Sequence, residues 1–200
     1  MATAGRANRG WDAARPRTVA FAEQIARNIV APLVLAYRLR LVSFKTAGNA
    51  LSVVPGGAGI LIRRAWYGAT LASCGKRLKV LFGAAITDPR SCIGDDCLIG
   101  ELNRVGFVEI GPKFMSSHGV CIVSGRHQHG YEKTEVAMRD QPATARRIKI
   151  GEDVWVGAGA AIGADVAAHS VVGMGAAITR TFDEWKILGG VPGKVIGERR

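Results

Sequence analysis

Ile150-Gly151-Glu152-Asp153-Val154-Trp155-Val156-Gly157-Ala158-Gly159-Ala160-Ala161-Ile162-Gly163-Ala164-Asp165-Val166 decides the fold. Ile150, Val156 and Ile162 recur every six residues, a glycine follows each, and Val154, Ala160 and Val166 stand four positions on. A period of six suits neither an α-helix, at about 3.6, nor a lone half-buried strand, at about 2; it suits a parallel β-helix turned from short flat segments. In such a coil the aliphatic side chain points into a narrow prism, glycine permits the corner, and a small residue fits at the fifth place.

The same rhythm occurs upstream in Ile93-Gly94-Asp95-Asp96-Cys97, Ile99-Gly100, Ile110-Gly111, Ser116 and Ile122. Repetition on both sides of a gap predicts one continuous solenoid, so the fold class is mainly β, with a helical segment before it. One irregularity stands out: after Val166 the insert Ala167-Ala168-His169 falls about two residues short of a full hexad. Val166, Val172 and Ile178 should then inherit the inward positions, with a bulge or a tightened coil between them.

Two hundred residues suit one domain with an appendage, and 48% apolar content is ample for a core. Lysine and arginine total 27 against 16 acidic residues, a net charge of +11. That surplus favours an anionic partner: nucleic acid, an acidic membrane or a phosphorylated cofactor. Aromatics make up only 6% and do not interleave with arginine or lysine, so nucleic acid is not expected. The cysteines, Cys74, Cys92, Cys97 and Cys121, form no Cys-x-x-Cys pair and have no metal spacing with histidine; they read as reduced packing residues of a cytoplasmic protein.

Three regions follow along the chain. Residues 1–16 carry Arg6, Arg9 and Arg15 among alanine and glycine with no apolar period, and are expected to be a disordered basic tail. Residues 17–80 form a helical capping segment, and residues 81–200 the solenoid with an extended loop at 128–147. In the cap, Phe21, Ile25, Ile29, Leu33 and Tyr37 make one helical stripe, which Pro32 should kink or restart. Its unbroken apolar run, Ile29 to Tyr37, is short of the roughly 20 residues that span a bilayer. Two placements stay open: packing on the solenoid or a neighbouring subunit, or peripheral contact with the inner membrane surface through residues 17–45. A second helix around Trp66 and Tyr67 is expected to close the open end of the prism.

After Ile122 the hexads stop. Ser124-Gly125-Arg126-His127-Gln128-His129 leads into about twenty polar residues before Ile148 resumes the repeat. Long loops in compact folds are usually functional or disordered. His127, at the base, is therefore the leading catalytic candidate, since a neutral imidazole accepts a proton from an alcohol; a surface histidine is the alternative. His129 is its rival, while His118 and His169 read as surface residues.

From Ile110 to Ile196 the sequence resembles the hexapeptide-repeat acetyltransferases, whose fold is a left-handed parallel β-helix, and especially the maltose, galactoside and exopolysaccharide sugar O-acetyltransferases. The matching motifs are Ser124-Gly125-x-His127, Ile150-Gly151-x-x-Val154-Trp155-Val156-Gly157, Val172-Gly173-Met174-Gly175, Thr179-Arg180 and Gly190-Val191-Pro192-Gly193-Lys194-Val195-Ile196.

The resemblance implies an acetyl-CoA co-substrate with no metal, a homotrimer with active sites in the grooves between subunits, and His127 as catalytic base. By position it puts the backbone N–H of Ala158 near the thioester oxygen, and Met174, Thr179, Arg180 and Lys194 along the pantetheine arm or the phosphates. The expected reaction is acetyl transfer to a saccharide or lipid-linked saccharide hydroxyl in envelope or exopolysaccharide synthesis. The alternatives are N-acetylation of an amino sugar or antibiotic, a zinc carbonic anhydrase, for which His118, His127 and His129 lack the spacing, and a non-catalytic scaffold. Trp155 reads as a packing residue that shapes the coil. Gln128 stands where exopolysaccharide members often have aspartate, so another group must orient the imidazole.

Overall fold

The computed structural model describes residues 16–125 and 129–200, with side chains from Thr18 onward. The basic tail therefore lies outside the described residues, apart from Pro16. Three helices precede the solenoid: α1 (Pro16–Arg38), α2 (Phe44–Ser52) and α3 (Gly56–Thr70). The remainder winds into a parallel β-solenoid with three walls. Ser73–Cys74, Cys92–Ile93, Val108–Ile110 and Ile148–Ile150 form the first wall. Lys79–Val80, Leu98–Ile99, Met115–Ser116, Trp155–Val156, Val171–Val172, Lys186–Gly189 and Lys194–Glu198 form the second. The third wall is Ala85–Ile86, Arg104–Val105, Cys121–Ile122, Ala161–Ile162 and Ala177–Ile178. The first coil thus opens at Ser73.

In most strands one residue points in and its neighbour points out; Ala85 and Ile86 are both buried, and no residue of Lys194–Glu198 is. The inward set includes Ile93, Ile99, Ile110, Ile122, Ile150, Val156, Ile162, Val172 and Ile178, all buried as the hexads require. Among the buried polar residues of the prism, Asn103 and Ser116 satisfy each other: Asn103 Nδ2 donates to Ser116 Oγ at 2.7 Å, and Asn103 Oδ1 accepts from Val120 N at 2.7 Å.

Strand register measures each coil. Lys79 pairs with Leu98, Leu98 with Met115, Met115 with Trp155, and Trp155 with Val171, which are steps of 19, 17, 40 and 16 residues. The step of 40 contains the long loop. The step of 16 is the tightened coil expected from the missing pair of residues, with Val166, Val172 and Ile178 buried.

The glycines act differently from the sequence expectation. Those that follow an inward aliphatic residue do not form the corner; they lie against the backbone of the next coil, where a Cβ on Gly94 would come within 2.6 Å of Pro112 N, and one on Gly157 within 2.6 Å of Met174 N. The left-handed corners fall elsewhere. Between the first and second walls they are made by Arg77, Asp96, Lys113, Asp153, His169 and Trp185, with φ between 52° and 62°. Between the second and third walls they fall at Gly83, Leu102, Gly119, Gly159 and Gly175.

The same corner column corrects the reading of His169 as a surface residue. Its ring stacks on Trp185 at 4.2 Å and lies 3.4 Å from both Asp153 Oδ2 and Glu152 Oε1. The histidine contact, with Arg199 at 2.9 Å, holds the Asp153 carboxyl below the usual range. These groups tie the C-terminal strand to the prism.

The cap closes the N-terminal end. Tyr37, Phe44, Trp66 and Tyr67 stack with ring centroids 5.7–6.2 Å apart and join all three helices. The Tyr67 hydroxyl accepts from Ile86 N at 3.0 Å, and burial pushes its phenol up to about 12. Helix α1 continues through the exposed Pro32 without restarting. Its buried stripe is Ala26, Val30 and Val34, whereas Phe21, Ile25 and Ile29, placed in that stripe from the sequence, are exposed. From Thr18 to Arg38 it is long and apolar enough to cross a bilayer, which the run counted from Ile29 understated; in this structure it packs on α3, and its Glu23 pairs with Arg64 at 2.6 Å.

Candidate functional site on the third wall

Outward residues give each wall its own chemistry. The first wall shows Glu109 and Lys149, and the second shows the partly exposed Met115 and Trp155. Along the third, Arg104, Cys121, Ala161 and Ala177 pair in register, so past Arg104 the surface is a flat strip of small side chains.

The long loop leaves the prism at the end of this strip. Its neck is closed by Arg146 N donating to Ser124 O at 2.8 Å, while Ser124 Oγ accepts from Phe107 N at 3.0 Å. Gly125 has φ 87°, and a Cβ there would meet Arg146 Cβ at 2.8 Å, so the neck requires glycine. Arg146 pairs with Asp165 at 2.5 Å, and Arg90 and Arg147 both lie over the Phe107 ring. His127 and Gln128 lie outside the described residues; the flanking His129 is exposed.

From His129 on, the loop has a centre of its own. Gln141 is buried; its Nε2 donates to Lys133 O at 2.8 Å and Val136 O at 2.9 Å, and its Oε1 accepts from Lys133 N at 3.2 Å. A polar loop has no apolar core to hold it, so these bonds do that work. Gln141→Ala is expected to raise protease cleavage within residues 129–147 about a hundredfold with little change in the unfolding midpoint, because it costs roughly 1 kcal/mol for each of three bonds locally and nothing in the prism. Unchanged cleavage would assign the loop's order to other contacts.

The remaining candidates border the strip. Ala158 and Met174 occupy the corner between the second and third walls, one coil apart, with Gly175 N donating to Ala158 O at 2.8 Å. The Ala158 N–H donates to no protein acceptor among the described residues, as is also true of Glu101, His118 and Met174 at the same corner. Thr179 and Arg180 are exposed just beyond the strand Ala177–Ile178, at the opposite edge, with the Arg180 guanidinium 4.9 Å from the Phe182 ring. Lys194 is exposed at the end of the prism, next to Gly193, whose N–H bonds Ala177 O at 2.8 Å. All five therefore surround the C-terminal half of one wall.

Two outward residues near them, His118 and Cys121, were given no part in the site from the sequence. His118 stands one coil before Ala158 on the same edge, Gly159 N donating to its carbonyl at 3.0 Å; alignment of Ser117-His118-Gly119 with Gly157-Ala158-Gly159 carries that signal. Cys121 is exposed on the strip itself, which corrects its reading as a packing residue; burial pushes the Cys74 and Cys97 thiols up to about 11. Trp155 is also corrected: 45% exposed on the second wall, it does not shape the coil from within. Among the described residues no three histidine, cysteine or carboxylate side chains gather as metal ligands.

No family model and no curated protein sequence matches the chain. Solved structures do. A maltose O-acetyltransferase from Clostridium difficile 630 is 19% identical, with 84% of this chain and 89% of that one covered and a TM-score of 0.64. A hexapeptide-repeat-containing acetyltransferase from Vibrio cholerae is 15% identical over 79% of this chain and 92% of that one, with a TM-score of 0.61. This chain has the hexapeptide-repeat acetyltransferase fold. AntD, an N-acyltransferase from Bacillus cereus in complex with dTDP and 3-hydroxybutyryl-CoA, shares the hexapeptide-repeat fold's prism at 17% identity, with 66% of this chain and 85% of that one covered and a TM-score of 0.52.

Proposed function

We propose that this protein is an acyltransferase that moves an acetyl group from acetyl-CoA to a saccharide hydroxyl, with the third wall as its cofactor strip. The observation that carries this reading is the placement of the one long loop, which leaves the prism beside the strip bordered by Ala158, Met174, Thr179 and Arg180. Small side chains let an extended pantetheine arm lie flat, and Arg180 and Lys194 supply charge for its phosphates.

In the proposed step His127 takes the proton of the acceptor hydroxyl as the oxygen attacks the thioester carbonyl. The Ala158 N–H stabilises the oxyanion, a contribution of about 3 kcal/mol by analogy with other oxyanion holes. Collapse of the intermediate breaks the carbon–sulfur bond, and the imidazolium returns the proton to the departing CoA thiolate.

Cys121 gives a direct test. Thiol reagents at pH 8 are expected to label Cys121 and spare Cys74 and Cys97, and CoA should slow the Cys121 reaction about tenfold. Equal labelling with and without CoA counts against the strip. A panel of hydroxyl and amino acceptors then separates sugar O-acetylation from the N-acylation that AntD's name describes.

A homotrimer completes the proposal. Met115 and Trp155, 47% and 45% exposed and paired in register, border a hollow of about 300 Å³ on the second wall. An apolar face of this kind suits a neighbouring prism. Trp155→Glu is expected to sediment as a monomer with an intact fold by circular dichroism; a persistent trimer would place the contact on another wall.

A further inference from the structure

The helical cap holds a second cavity, chemically unlike the third wall. A groove of about 710 Å³ lies between α1, α3 and the opening coil, within the roughly 300–1,000 Å³ of small-molecule sites. Its floor is apolar, made by Val30, Val34 and Leu35 of α1 with Leu61, Ala65 and Gly68 of α3. Its rim carries Arg27, Arg38, Arg64, Lys76 and Arg77 against one carboxylate, Glu23.

Glu23 is engaged by Arg64, and Arg77 pairs with Asp96. That leaves Arg27, Arg38 and Lys76 with no carboxylate partner among the described residues. An apolar trough rimmed by unmatched cations complements an alkyl chain that ends in an anion. The chain's own amino-terminal tail fits poorly, because Arg6, Arg9 and Arg15 outnumber Asp12 there and would be repelled.

We propose that this groove binds one long-chain alkyl phosphate, the chemistry of a lipid phosphate. The chain lies over Val30, Leu61, Ala65 and Gly68, and Arg38, about 16 Å along α1 from Arg27 at the other end of the trough, holds the phosphate. The site is on the cap, at the other end of the prism from Met174, Arg180 and Lys194, and it stands whether or not the third wall transfers an acyl group.

Gly68 offers a clean probe. A Cβ there meets no atom within 4 Å, so Gly68→Leu fills the groove and favours the helix. Calorimetric titration of the full chain with decyl phosphate, below its micellar concentration, should give one site per chain. Gly68→Leu and Arg38→Gln should each weaken it about tenfold or more, and inorganic phosphate alone should bind more weakly by a similar factor. Equal binding of decyl phosphate by Gly68→Leu and wild type would overturn the site. So would decyl glucoside binding as tightly as decyl phosphate, or an altered sedimentation of Gly68→Leu without decyl phosphate binding in the wild type, which would give the groove to a second copy of the chain.

Discussion

His127→Ala is expected to lower acetyl transfer by about 10² to 10⁴ while CoA binds as before. A sugar hydroxyl is a weak nucleophile near neutral pH, so the attack needs a group to take its proton as the bond forms. Alanine leaves that proton to water. The Ala158 N–H and the cations near the phosphates are untouched, so the fall should appear in kcat and CoA affinity should hold. Calorimetry with CoA, paired with turnover on the best acceptor, separates the two terms. If His127→Ala keeps its rate and His129→Ala loses it, the base is the later histidine; if neither changes the rate, the enzymatic reading fails.

Arg63→Leu should be the most destabilising single change in the cap, at about 3–5 kcal/mol. The side chain is 1% exposed and faces no carboxylate. Four carbonyls accept from it instead: Val80 O from Nε at 2.8 Å, and Leu51 O, Ser52 O and Val54 O from Nη1 at 3.0, 3.3 and 2.7 Å. Two of these belong to the C-terminal end of α2, where the helix dipole is negative, and Val54 follows directly. Burial depresses the guanidinium's proton affinity; the carbonyls offset that cost.

Leucine would take a donor from all four carbonyls; Ser52 O would keep Gly83 N at 2.8 Å and Leu51 O would keep Val54 N at 3.3 Å, so the cost falls on Val54 O and Val80 O. Arg63→Lys should recover only part of the loss, since one ammonium on a single stem cannot replace a planar fork. Denaturant unfolding of the three proteins, followed by tryptophan emission, measures the effect. A loss under about 1 kcal/mol would mean that other donors reach these carbonyls. Gly59 belongs to the same arrangement: a Cβ there would meet Val54 O at 2.0 Å and Arg63 Nη1 at 2.8 Å.

The prism was legible because its rule is local. An inward aliphatic residue every six positions can be read without knowing what lies above it, and the two-residue deficit before Val172 appears as a coil of 16. What depends on neighbouring layers was misread. The need for glycine at Gly94 and Gly157 comes from the adjacent coil, and His169 is held by Trp185 and Arg199, distant in sequence from its hexad. In α1 the apolar arc is wider than the contact with α3, so the pattern could not say which residues would be buried. The interface took Ala26, Val30 and Val34 and left Phe21 and Ile25 outside. Helix α2 is only nine residues long, and its one signal was Ser43, whose hydroxyl caps Thr46 N at 3.0 Å. At the candidate site the loop's limits could be read from the broken repeat, but the Gln141 clasp joins residues that share no motif.

A solenoid of parallel coils has an inherent hazard, since its last rung offers the same unsatisfied edge that received every rung before it. Here Lys194–Glu198 turns back antiparallel on Lys186–Gly189, and Gly190 and Gly193 occupy the backbone groups of Ala177. With helices over the opposite end, the outermost strand of the second wall runs antiparallel to the coils, so a further parallel coil would find no matching rung to continue there.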